Sequence, residues 1–113
     1  MKKLAEFKGT DAIRVAAKVM GVLSRILADE RNRTAKADNV MQLFLRFCEN
    51  SPKEMTEIFA ILSEKDYDTY TPDGAEAFAN LKTLANDPAI AGLFLSQRRT
   101  GDATSSGAAS ANT

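Results

Sequence analysis

Side chains able to carry catalysis are scarce in this chain. It contains no histidine and a single cysteine, Cys48. That removes the commonest general base and the commonest metal ligand together, and one thiol without an imidazole cannot build a structural zinc site. Cys48 closes the apolar run Leu43-Phe44-Leu45-Arg46-Phe47-Cys48, where it reads as a small core hydrophobe rather than a nucleophile. Ser51 stands before Pro52 and reads as a helix cap, with no base available to activate it. Asp29, Glu30, Asp66 and Asp68 are the carboxylates closest to a cation cluster, but their spacing is not that of a calcium loop and solvated charge runs explain them better. The glycines at 9, 21, 74, 92, 101 and 107 match no phosphate-binding pattern. The expectation is a binding protein rather than an enzyme, with no catalytic, cofactor or metal residues.

Charge gives the next exclusion. Fifteen basic residues balance fifteen acidic ones, whereas a nucleic-acid binder usually carries a basic surplus to neutralise phosphates. Arg31, Arg33 and Lys36 form the densest basic cluster, and Arg98 and Arg99 follow the last apolar stretch. Neither group has an exposed aromatic platform beside it, and both read more simply as helix C-terminal residues facing the macrodipole. Nucleic acid is therefore not an expected partner. A balanced charge does not oppose self-association, so a homo-oligomer stays open.

Helices must position whatever this protein uses. The chain is 113 residues long, enough for one core. Residues 1–9 form an N-terminal arm, 10–96 a helical domain, and 97–113 a Ser-, Gly- and Ala-rich tail expected to be disordered, because it has no apolar side chain larger than alanine to repay its ordering by burial. A first helix starts at Thr10 or Asp11 and runs to about Asn32. It carries two apolar seams, one of Ile13, Ala16, Met20, Leu23 and Leu27 and one of Val15, Val19, Val22 and Ile26, which predict a central helix with neighbours on two sides. A second spans Ala37–Glu49, capped by Thr34 or Asp38. Ser51-Pro52-Lys53-Glu54 combines a serine cap, proline at the first helical position and glutamate at the third, a capping box opening a third helix that buries Met55, Ile58, Phe59 and Leu62. The polar stretch 63–70 predicts a loop with single-turn structure. Thr71-Pro72 and Asp87-Pro88 announce two more helices, the first with Ala75, Phe78, Leu81 and Leu84 on one face, the second short and bearing Ile90, Leu93 and Phe94. The fold class is all-α, a small bundle of four to five helices.

Glu6, Lys8, Asp11, Arg14 and Lys18 interrupt the N-terminal segment too often for a secretory signal, and no stretch approaches the ~20 apolar residues of a membrane span. The expected location is the cytosol. Apolar residues are numerous for the limited interior of about 95 ordered residues, so either the bundle covers them all or some form a protein-binding or self-association surface. Phe44, Phe47, Phe59, Leu93 and Phe94 are the candidate contacts.

Over residues 7–97 the chain resembles the tail assembly chaperones of long-tailed phages, especially siphophages. The resemblance rests on the opening FKGTDAIRVAAKVMG, the middle MQLFLRFCENSPKEMTEIFAILSE, in which one apolar helix turns into the next through a Ser-Pro corner, an acidic and tyrosine-bearing linker, the phrase NDPAIAGLFLSQ and a low-complexity end. It implies a non-structural morphogenesis factor that coats the tape measure protein before tail-tube polymerisation, helps recruit tube subunits, works in the host cytoplasm and is absent from the mature virion. In such families a frameshifted, longer product often adds a module after a flexible tether, which here would begin near Gln97. The alternatives are a small helical DNA-binding regulator using Arg31, Arg33 and Lys36, and a structural head-tail connector retained in the particle.

Overall fold

A computed structural model describes the backbone of residues 1–106 and the side chains of residues 1–98. The helices are α1 (Gly9–Ala28), α2 (Glu30–Arg33), α3 (Val40–Asn50), α4 (Pro52–Leu62), α5 (Gly74–Ala85) and α6 (Pro88–Ser106), with 3-10 turns at Leu4–Glu6 and Tyr67–Thr69. Among the described residues there is no strand. This is the all-α bundle expected, five substantial helices with α2 as an extra single turn.

Polar side chains decide where the helices stop. The first helix does not continue to Asn32, because Asp29 leaves helical geometry (φ −80°, ψ 119°) and its carboxylate accepts the Arg31 N–H at 2.9 Å, capping α2. Aspartate competes with helical backbone in this way and favours caps over interiors. The break swings Asn32 inward until it is fully buried. There its amide donates to the Ile26 carbonyl (2.8 Å) and to Ser51 Oγ (2.9 Å) and accepts from Asn50 Nδ2 (3.0 Å). Ser51 thus joins two corners of the bundle, and the expected capping box at α4 is not made: Pro52 opens the helix with no side-chain cap. α3 starts later than expected and is capped by Asn39, which accepts from Gln42 N at 2.9 Å, rather than by Thr34 or Asp38. α5 begins after Pro72, with Asp73 accepting from Glu76 N at 2.8 Å.

α4 takes the central place expected of the first helix. It buries Met55, Ile58, Phe59, Ala60 and Leu62 and packs on both α1 and α3. α3 in turn meets α2, α4 and α5, and the rings of Phe44, Phe47 and Phe94 close the space between α3 and α6, the Phe44–Phe94 centroids lying 4.8 Å apart edge to face. α1 lies outside this centre and buries only Val19, Val22, Leu23 and Ile26. Ile13, expected in its first seam, is 74% exposed. α5 buries half of the face expected, Leu81 and Leu84, and leaves Ala75 and Phe78 outside. Asn80 donates to the buried Tyr70 hydroxyl at 2.7 Å, which turns Leu81 and Leu84 inward and leaves Phe78 outside at 59% exposure.

The arm at residues 1–9 is bound to the bundle. Lys2 N–H donates to the Leu62 carbonyl at 2.8 Å, Phe7 is buried, and Leu4 N–H donates at 2.8 Å to the carboxylate of Asp87. Asp87 also accepts from Ala89 N at 3.1 Å, so one buried side chain caps α6 and grips the arm. α6 crosses the boundary expected at Gln97 and runs through Ser106. No glycine or proline intervenes between Leu93 and Thr100, and Arg98 holds the helix in place by donating to the carbonyls of Arg33 (2.9 Å) and Ala35 (2.7 Å). Of the tail expected to be disordered, residues 97–113, the last seven (107–113) lie outside the described residues.

Candidate protein-binding face

The five expected contact residues are part of the interior. Phe44, Phe47, Phe59 and Phe94 are buried, and Leu93 is half-buried against the same cluster. α3 packs on α4 and meets Phe94 of α6 through its rings, so these side chains make the core rather than a surface. The correction is physical: helical spacing identifies an apolar face but not whether the chain itself covers it.

The other residues singled out by type are also spent locally. Arg31 is held by both oxygens of Asp29, with Nη2 at 2.7 Å, and by the Asn50 carbonyl. That pairing raises the guanidinium's pKa and holds the Asp29 carboxyl below its usual range, the side-chain hydrogen bond being the main cause. Arg33 donates to the carbonyls of Leu27 (2.9 Å) and Ala28 (3.2 Å), completing the C-terminus of α1 as the macrodipole reading anticipated. Burial, with Glu49 adding to it, pushes the Cys48 thiol up to about 11. Asp66 accepts from Asp68 N at 3.1 Å and caps the second 3-10 turn. Among the described residues no three acidic or cysteine side chains converge as metal ligands would, and no helix is long and apolar enough to cross a membrane.

Exposed apolar groups lie elsewhere. Leu45, Phe78 and Leu95 sit singly on α3, α5 and α6, and such isolated exposure is ordinary. α1 is different. Asp11, Arg14, Lys18 and Arg25, all its charged residues, fall on one edge at helical spacing, while Ile13, Ala17, Met20, Gly21, Ser24 and Ala28 fall on the adjoining outward strip. Of these six only Met20 is even half-buried. The result is an outward helix face without charge, flanked by a cationic edge.

Beside that edge, α1, α4 and the residues that follow α4 line two hollows of about 350 and 560 Å³. Both are lined by Lys18, Ile61 and Lys65, so they form one groove along α1; it reaches Phe7 at one end and Gly21, Arg25 and Tyr67 at the other. Most of its charges are matched: Arg14 to Asp11 at 2.8 Å, Arg25 to Glu57 at 2.8 Å, and Glu64 to Lys2 at 2.9 Å. Lys18 and Lys65 have no ion-pair partner among the described residues. The α1 half of this face was legible as charge segregation along a helix. Lys65 and Tyr67 were not, because they read as polar loop and only the fold carries them opposite α1.

Comparison with protein-family models, with curated proteins and with solved structures gives no match.

Proposed function

We propose that this chain is a non-catalytic tail assembly chaperone of a long-tailed phage, which binds helical segments of the tape measure protein and helps recruit tail-tube subunits. The observation that carries this reading is the outward face of α1 with the groove beside it: a surface about five turns long that is uncharged, fringed by cations, and uncovered by the rest of the bundle. Amphipathic helices are held in this manner, an apolar stripe laid against an apolar strip with flanking charges setting register. The sequence features shared with such chaperones support the same assignment. Action in the host cytoplasm and absence from the finished particle belong to this proposal.

The test is co-expression with fragments of the tape measure protein. Each fragment expressed alone should sediment, and in the presence of the full chain it should elute with it as a soluble complex. If the fragments remain in the pellet whether or not the chain is present, the reading is lost. Mass spectrometry of purified particles should find no copies; retained copies would favour a structural connector.

A further inference from the structure

We infer that the α1–α4 groove selects an amphipathic helix bearing carboxylates along one margin of its apolar stripe, with Lys18 and Lys65 as the anchoring cations. The inference rests on the reading above, that this face holds a partner's helix, and adds what that helix must carry.

Three observations lead there. The first is charge complementarity. Within the groove Asp11, Glu57 and Glu64 are taken up by Arg14, Arg25 and Lys2, and Asp66 is turned to a backbone N–H, while Lys18 and Lys65 line both hollows with no carboxylate to meet. Two exposed ammonium groups over a floor that includes Val22, Ala60 and Ile61 suit a ligand that is apolar beneath and anionic at its margin. The second is Gly21. It lies inside a regular helix at ordinary negative φ, where glycine is costly, and nothing lies within 4 Å of the position a Cβ would take. Internal packing therefore gives no reason for glycine there, whereas a helix approaching the groove wall would gain closeness from it. The third concerns self-pairing. Two copies meeting antiparallel through the middle of α1 would set Lys18, the α1 cation with no ion-pair partner among the described residues, against its own copy, which opposes a second copy as the occupant.

The experiment uses the full chain and two labelled helical peptides of roughly five turns. They share a Leu/Ala stripe and differ only in carrying Glu or Lys along its margins, and binding is followed by fluorescence anisotropy. The Glu peptide should bind at least about tenfold tighter than the Lys peptide, weakening as salt rises. The double variant Lys18→Glu/Lys65→Glu changes only exposed side chains and should invert the preference. Gly21→Leu favours the helix yet fills the groove wall, so it should lose both peptides while its circular dichroism stays helical. Equal binding of the two peptides, binding of neither, or a preference unmoved by the double variant overturns the inference. So does a concentration-dependent dimer abolished by Gly21→Leu, which would make the face a self-interface. The double variant also separates this inference from the functional reading. If it still keeps tape measure fragments soluble, the inference falls and the reading stands; if the wild-type chain cannot keep them soluble, the reading falls.

Discussion

Asn32 shows how much one side chain can hold. Fully buried, it joins the end of α1, the end of α3 and the start of α4 through three hydrogen bonds. Asn32→Ala removes the amide and leaves Ser51, Asn50 and the Ile26 carbonyl short of partners, so urea unfolding should show a loss of about 2–3 kcal/mol, more than an exposed asparagine could cost. Cys48 leads to a chemical expectation. With its thiol pKa near 11, raised chiefly by burial, it stays protonated across neutral pH, so alkylation of the folded protein should be slow and should accelerate sharply in denaturant. Tyr70 extends this to alkaline conditions. Its phenol is raised above the ordinary value, again mainly by burial, so the fold favours the neutral form. That contribution is complete below about pH 10 and is lost as pH climbs through the raised folded value. Tyrosinate absorbance from Tyr70, isolated by comparison with Tyr70→Phe, should therefore rise later in the native protein than in urea. The inert character of Cys48 was legible from its apolar run, but the role of Asn32 was not, since it lies in a run of charged and polar neighbours that reads as a solvated turn.

At the scale of elements, proline was the dependable signal and capping the unreliable one. Pro52 and Pro88 each open a helix as read, because a fixed φ and a missing N–H suit the first helical position. Thr71-Pro72 only precedes α5, since Asp73 and Glu76 form a better start two residues on. The rotation of α5 was hidden because Phe78 and Leu81 lie on one helical stripe; the bond between Asn80 and Tyr70, made across ten residues of sequence, decides which is buried. Helix α1 carries a testable cost of its own. Gly21→Ala should stabilise the protein by about 0.5–1 kcal/mol, raising the melting temperature by several degrees, because no neighbour meets the added methyl group. An unchanged or lowered melting temperature would mean that α1 is packed differently at this position.

For the whole molecule, the core composition was legible and its placement was not. Met55, Ile58, Phe59 and Leu62 are buried on α4 as their spacing indicates, yet the same kind of reading offered Phe44, Phe47 and Phe94 as surface. Two helices distant in sequence, α3 and α6, meet at those rings, and pattern alone cannot count the neighbours a face will find. Phe94→Ala opens a cavity against Phe44 and Phe47 and should cost about 3–5 kcal/mol by denaturant titration, a large share of what a domain of this size commands. A loss below about 1 kcal/mol would place that ring outside the core.

The grip of Asp87 on the Leu4 amide has a consequence for synthesis. Leu4 is clasped by a residue made 83 positions later, and Phe94 follows later still. Until residue 94 has left the ribosome, Phe44 and Phe47 wait without their third ring, and native closure comes only after that. Nascent chains arrested ahead of Asp87 should be cut readily by protease, and those extended far enough for residue 98 to clear the exit tunnel should resist.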